Sequence, residues 1–293
     1  MLLAIDARNR SVTIGLREGS AWRSIKRFGF TPERSADEYA LLFSTLMEAG
    51  SGPAAGGRGA GEIGGPSPGT LASGAEAALA ASSMVDSAWI ASVVPALTPR
   101  LVQAIASAFG VEATVIGPGV RTGVKIRTDQ PSELGADLVC AAAAAYDLLH
   151  GPCIVVDFGV ALTLSAINAS GEFLGAAIAP GISAAAESLR ASAAQLPEVL
   201  LDFPAAAIGR NTAWAIQSGI LLGYEGLVRS LVERMSAELF ADSGGSPSGI
   251  GAAVIGCGES MGRRLLAACG YERFVPELVL EGVALIASRS SRR

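Results

Sequence analysis

The sequence predicts an α/β protein with two comparable lobes. Three observations carry that prediction. Leu2-Leu3-Ala4-Ile5-Asp6 runs into polar residues and then Ser11-Val12-Thr13-Ile14-Gly15. Ile154-Val155-Val156-Asp157-Phe158-Gly159 repeats the theme at the centre of the chain. Each reads as a buried strand whose last residues carry a carboxylate toward a cleft. Strands also precede helices twice over, as an α/β protein with two half-domains requires. One such unit is an ordinary strand end; two suggest half-domains facing each other across a cleft. Gly159, just past its strand, lets a backbone or a phosphate come close.

Taken in order, 2–6, 11–17 and 22–28 read as an antiparallel meander. Ser35-Ala36-Asp37-Glu38 is a capping box, and its helix runs through Leu41, Leu42 and Leu46 to Gly50. Residues 50–81 are Gly, Ala, Ser and Pro with few large apolar side chains, so a flexible insertion is expected there, with a short helix possible at 71–81. Ala88–Val94 is a buried strand closed by Pro95. Thr98 caps a helix with Pro99 at its first position, and Gly110 ends it. Thr114–Ile116 is a strand before the turn Gly117-Pro118-Gly119. Ser132 is read as the cap of a long helix that carries Asp137 and the small residues Ala141–Ala145. A lone Asp there is most often a carboxylate favoured by the helix dipole. Residues 161–168 and 172–178 form a hairpin around Ala169-Ser170-Gly171. A helix follows from Ser183, then a loop region at Leu196-Pro197 and Phe203-Pro204. Asn211 or Thr212 opens a helix that continues toward Met235. Residues 242–251 read as a loose loop, 252–255 as a strand entering Gly256-Cys257-Gly258, and 278–287 as a closing helix.

Composition narrows the function classes. The chain has 293 residues, enough to bury a sizeable core in one or two domains. Half its residues are hydrophobic, but Gly and Pro interrupt the apolar runs before the roughly 18 residues a bilayer span needs. A net charge of −5 argues against general nucleic-acid binding. Asp6, Arg8 and Arg10 interrupt the start, so no leader and a cytoplasmic location are expected. Cys140, Cys153, Cys257 and Cys269 form no Cys-x-x-Cys pair, and reduced thiols are expected. His150 is the one histidine, which leaves little scope for a Ser-His-Asp triad.

Several short stretches occur together and in a fixed order. They include Ser92-Val93-Val94-Pro95, Gly117-Pro118-Gly119, Asp129 with Pro131, Gly135-Ala136-Asp137 and Val156-Asp157-Phe158-Gly159. Further on come Gly171-Glu172-Phe173-Leu174-Gly175, Ile178-Ala179-Pro180-Gly181, Leu196-Pro197, Gly209-Arg210-Asn211-Thr212 and Ile216-Gln217-Ser218-Gly219. Each is weak, but so many in register resemble the type III pantothenate kinase family across nearly the whole chain outside 50–81. The resemblance implies two ribonuclease-H-like lobes of the actin-like ATPase superfamily facing a central cleft, at residues 1–118 and 119–293. It implies ATP-dependent phosphorylation of the primary hydroxyl of pantothenate, or a similar small alcohol, on the way to coenzyme A. By resemblance Asp137 is the general base, and Asp6 holds Mg²⁺ and nucleotide phosphates. Asp157 binds a monovalent cation, K⁺ or NH₄⁺. Asn9, Gly159 and Thr163 lie on the nucleotide side, and Gly135, Ala136 and Thr212 on the substrate side. The family also implies a homodimer with substrate sites at the subunit interface, for which Ala141–Ala145 could supply a close-packing face. Direct nucleic-acid binding and membrane association are not expected.

The departures from the family pattern cluster at these positions. The first phosphate loop, Asp-x-Gly-Asn-Thr in the family, reads Asp6-Ala7-Arg8-Asn9-Arg10. Arg8 puts bulk where a glycine lets phosphate approach, though its charge could itself bind phosphate. The second loop, Asp-Phe-Gly-Thr-Ala-Thr-Thr in the family, has Val160 and Leu162 in place of two hydroxyls that could bond phosphate. Leu138 replaces the Arg that would meet the pantothenate carboxylate. Thr128 replaces an aromatic residue, and Gly256-Cys257-Gly258 replaces Thr-Gly-Gly. Two readings follow: a pantothenate kinase with a remodelled and slower site, or a silent family member that binds a ligand or serves as a transcription-accessory regulator. A kinase for another small alcohol is a third.

Overall fold

The computed structural model describes residues 1–31, 33–48, 85–193, 196–241 and 251–290. The insertion expected at 50–81 and nearly all of the loop expected at 242–251 lie outside the described residues. The chain divides into two units, Met1–Val120 and Arg121–Arg293.

The first unit is built on β1 (Leu2–Ala7), β2 (Ser11–Glu18), β3 (Ala21–Gly29), β4 (Ser87–Ser92) and β5 (Ala113–Val115). Their order in the sheet is β3-β2-β1-β4-β5. β1 and β2 pair antiparallel, as do β2 and β3, which is the predicted meander. β4 runs parallel to β1. Alternation along each strand sends Leu3, Ile5, Ile14 and Ile90 into one core with Tyr39, Phe43, Leu101 and Ile105. The last four come from α1 (Ala36–Glu48) and α2 (Thr98–Phe109). Asp6, one residue on from Ile5, points to the other face.

The capping box forms as predicted. Glu38 N donates to Ser35 Oγ at 3.3 Å and Ser35 N donates to Glu38 Oε2 at 2.6 Å. These bonds hold the Glu38 carboxyl below its usual range. Gly110 ends α2 in the left-handed region. Thr98 does not cap. It is the first helical residue, and its hydroxyl donates to Ser92 Oγ at 2.7 Å, tying the helix start to the end of β4.

The second unit repeats the plan. Its strands are β6 (Lys125–Ile126), β7 (Cys153–Phe158), β8 (Ala161–Ile167), β9 (Glu172–Pro180) and β10 (Ala253–Gly258), in the order β10-β7-β8-β9-β6. β7, β8 and β9 form an antiparallel meander, and β10 runs parallel to β7. Ile154, Val156, Phe158, Leu162 and Leu164 enter one core. That core is covered by α4 (Ile182–Ser192), α5 (Thr212–Gln217), a π-helical turn at Ser218–Leu222, α6 (Gly223–Ala241) and α7 (Ser260–Ala268). The other face carries Cys153, Val155 and Asp157 and is covered by α3 (Ala136–Leu149) with α8 (Leu278–Ser290). Burial pushes the Cys153 thiol up to about 12, so it stays protonated. Among the described residues no helix is long and apolar enough to cross a membrane.

The predicted start of α3 is corrected. Pro131–Glu133 is a separate 3₁₀ turn, Gly135 is extended, and α3 begins at Ala136. Asp137 is therefore in the first turn of the helix. The seam between α3 and α8 explains the alanines. A Cβ on Gly282 would lie 1.9 Å from Cys140 O, so the two backbones touch there. Seven residues further along both helices, Arg289 pairs with Asp147 at 2.9 Å, which makes the helices parallel. Ala141–Ala145 are all buried within this unit, so they offer no face to a second copy. Gly282→Ala should lower stability by about 1–3 kcal/mol, the cost of overpacking a close seam. A urea-denaturation midpoint shifted well below that of the natural chain is the expected reading.

Candidate active site

The chemistry-bearing residues sit at strand ends, where the pleat fixes their direction. In the second unit Asp157 is the next-to-last residue of β7, buried, and directly opposite Thr163 of β8. Opposed residues of an antiparallel pair share a face. Asp157 and Thr163 therefore both point to the α3 side. Thr163 Oγ1 is buried and makes no hydrogen bond. A hydroxyl held dry without a partner is costly, and a bound group is one way to satisfy it. On the third neighbouring strand, Gly258 has φ +94° and no Cβ. A side chain there would sit 2.9 Å from Asp157 Oδ1 and 2.3 Å from Phe158 O, so glycine lets this strand come close to the carboxylate.

Asp137 approaches from above. α3 has 14 residues, about 21 Å at helical rise, and β7 has 6, about 20 Å at strand rise. His150–Pro152 join them, so the helix runs back along the strand. Its C-terminal end is pinned over the β8–β9 turn by a bond from Tyr146 Oη to Ala169 O at 3.1 Å. That turn lies at the Cys153 end of β7, so the first turn of α3 lies at the Asp157 end. Gly135, Ala136 and Asp137 thus share one face and one end of the sheet with Asp157 and Thr163. Asp137 also accepts from Leu138 N at 2.8 Å, in the part of the helix where the dipole favours a carboxylate.

Gly159 opens the two-residue turn between β7 and β8, and Gly159 N donates to Ala161 O at 3.1 Å. The turn is braced by Gly181 N, which donates to Val160 O at 2.8 Å. Val160 is exposed in it. Leu162 is different and corrects the expectation drawn from it. It is fully buried in the core on the opposite face from Thr163. A hydroxyl at that position would face the core, not a phosphate. Thr212 also lies apart from Asp137. It is exposed at the start of α5, in the helix layer over the other face of the sheet, where Asn211 Oδ1 caps the helix by accepting from Trp214 N at 2.9 Å. A cavity of about 510 Å³ is lined by α4, residues 196–201, Ile216 and Met261.

The first unit carries a second copy of the strand-end pair. Asp6 is the next-to-last residue of β1, buried, and opposite Thr13 of β2. Here both members are met by arginine. Arg8 Nε donates to Asp6 Oδ2 at 2.8 Å, and Arg27 Nε donates to Thr13 Oγ1 at 3.1 Å. Asn9 and Arg10 form the exposed tip of the hairpin, which Arg8 N closes by donating to Ser11 O at 2.8 Å. Sequence reasoning anticipated bulk or a phosphate contact from Arg8 and missed this ion pair. The signal was the Asp-x-Arg spacing, because residues two apart on an extended chain lie on one face.

The donor sets fit cations unequally. Asp157 and the unpartnered Thr163 hydroxyl are oxygen donors and suit a cation that takes oxygen ligands. Asp6 does not fit a divalent ion in the same way, since one carboxylate oxygen already holds a guanidinium.

Two five-stranded mixed sheets, each with a meander and a parallel fourth strand, define the fold of the actin-like ATPases. A crystal structure of a conserved Campylobacter jejuni protein, assigned to the Baf family of transcriptional activators, has this fold. It superposes with a TM-score of 0.54 at 14% identity, over 99% of this chain and 100% of that one. The profile of the type III pantothenate kinases matches residues 68–234. Type III pantothenate kinase 2 of Symbiobacterium thermophilum is 40% identical over 290 residues, 99% of this chain and 97% of its own length. The type III pantothenate kinase of Moorella thermoacetica is 37% identical over 291 residues, 99% of this chain and all of its own. The chain belongs to the type III pantothenate kinase family.

Leu162→Thr tests the corrected assignment. It should cost about 1–3 kcal/mol of stability by burying a hydroxyl in the core, without improving nucleotide affinity. Denaturation together with a nucleotide titration checks both expectations.

Proposed function

We propose that the chain transfers the γ-phosphoryl group of ATP to the primary hydroxyl of pantothenate, on the way to coenzyme A. The observation that carries this reading is the convergence of Asp137, Asp157 and Thr163 on one end of one sheet face. Phosphoryl transfer demands positioning and charge neutralisation more than covalent chemistry. Asp137, in a first helical turn with Gly135 and Ala136 beside it, accepts the proton of the attacking hydroxyl. A base in that role needs only hydrogen-bond reach of the hydroxyl. Asp157 and Thr163 would hold the monovalent cation, K⁺ or NH₄⁺, which supplies fixed positive charge near the phosphates. Gly159 and its turn give the phosphates backbone access. Leu138 offers no cation to the substrate carboxylate, so affinity for pantothenate is weak. Loss of one charge-assisted bond is worth about 1.5–3 kcal/mol, about tenfold to a hundredfold in affinity.

We also propose a homodimer. Leu200, Ile208 and Trp214 are large apolar side chains left exposed in the second unit, near Thr212. They support an interface on that side, in place of the buried alanines of α3.

One observation favours a second reading. The ion pair of Arg8 with Asp6 removes an acid that the family's chemistry uses, which suits a member that binds a ligand without turning it over. The test is steady-state turnover with ATP, Mg²⁺ and K⁺ against pantothenate and related alcohols, alongside light scattering of the same sample. The kinase reading expects slow turnover with pantothenate, falling by about 10²–10⁴ in Asp137→Asn, and a dimer mass. Turnover indifferent to Asp137→Asn would remove the assigned base. Nucleotide binding without turnover of any alcohol would establish the second reading, and a monomer at micromolar concentration would remove the dimer.

A further inference from the structure

The two strand-end pairs within this one chain are close structural copies. Asp6 faces Thr13 across β1 and β2 with Ala91 on the parallel neighbour. Asp157 faces Thr163 across β7 and β8 with Cys257 on the parallel neighbour. They differ in what meets them. In the second unit the threonine hydroxyl is buried without a partner. In the first unit a guanidinium sits on each member.

We propose that Arg8 is a built-in counter-cation for Asp6 and takes the place of a divalent metal ion there. Its guanidinium is charged at every accessible pH. Its side chain is 18% exposed and the Asp6 side chain 5%, so the pair is largely shielded from water and salt. The hairpin that carries it has no residue with positive φ between Ala7 and Val12. Arginine at position 8 therefore sits in an unstrained turn, and nothing in the backbone calls for glycine. A divalent ion such as Mg²⁺ needs near-octahedral oxygen ligands and keeps several waters. Seating one on Asp6 would set a divalent charge against the guanidinium held by Oδ2 and admit water to a buried carboxylate. In this chain a divalent ion therefore comes only with the nucleotide phosphates, not as a ligand of Asp6.

The inference takes the phosphotransfer reading as its frame, but its test reads metal binding and not turnover, so the two can fail separately. Mn²⁺ is titrated into the full chain and the unbound ion is counted by electron paramagnetic resonance. Four proteins are compared: the natural chain, Asp6→Asn, Arg8→Gln, and Arg8→Gln with Asp6→Asn. Circular dichroism confirms that each is folded, and Arg8→Gln removes the charge while keeping most of the side-chain bulk. Asp6→Asn should leave the isotherm of the natural chain unchanged. Arg8→Gln should bind Mn²⁺ at least about tenfold more tightly, as expected when a unit charge beside a divalent site is removed. The added Asp6→Asn should abolish that gain. Loss of Mn²⁺ binding in Asp6→Asn alone would overturn the proposal, because Asp6 would already be a metal ligand. No gain in Arg8→Gln would overturn it as well, because Arg8 would not be what keeps the metal away.

Discussion

A carboxylate buried at the end of a strand, opposite a threonine on the antiparallel neighbour, is the feature on which both units depend. Burying such a group is costly unless the fold supplies compensation. The meander places it and the parallel fourth strand walls it in. The first unit compensates Asp6 from within the same hairpin, two residues away. The second unit leaves a dry hydroxyl on Thr163 opposite Asp157, with Cys257 and Gly258 on the neighbouring strand. Duplicated architecture has therefore been given two different electrostatic endings.

The second constraint is the seam of α3 with α8. Backbone contact at Gly282 and Cys140 is possible only because the facing residues are small. Close packing fixes the height of α3 over β7, and the Tyr146 bond fixes its far end. Together they set the first turn, and Asp137 with it, at the end of the sheet that carries Asp157. Core residues far from the sheet end thus decide where Asp137 stands. The poly-alanine run is buried within the second unit and positions its own helix.

Much of this was legible in the sequence. The strand–Asp units, the meander, the Ser35–Glu38 box, the Gly110 stop and a helix start at Asn211 or Thr212 all follow from local signals with short-range physical causes. Other features depended on context. Ser132 looked like a cap, but Pro131 favours a tight 3₁₀ turn and Gly135 is extended, so the helix starts later. α7 went unread because Gly262, Arg263 and Arg264 dilute its apolar pattern. β6 has two residues, too few for any period to show. Leu162 could have been placed, since strand alternation puts it on the opposite face from Thr163. The Arg8 ion pair is also legible from strand alternation, because an acid stands two residues away on the same face.

The central claim is that the acidic frame of the second unit is intact and that altered surroundings limit this chain as a kinase. The most direct measurement is pantothenate kcat/KM for the natural chain and for the combined variant Arg8→Gly, Leu138→Arg and Val160→Thr, both verified as folded. Restoring about one charge-assisted contact predicts a rise of at least roughly tenfold. No rise in a folded variant that binds ATP would contradict the claim, because the defect would then lie in the frame itself.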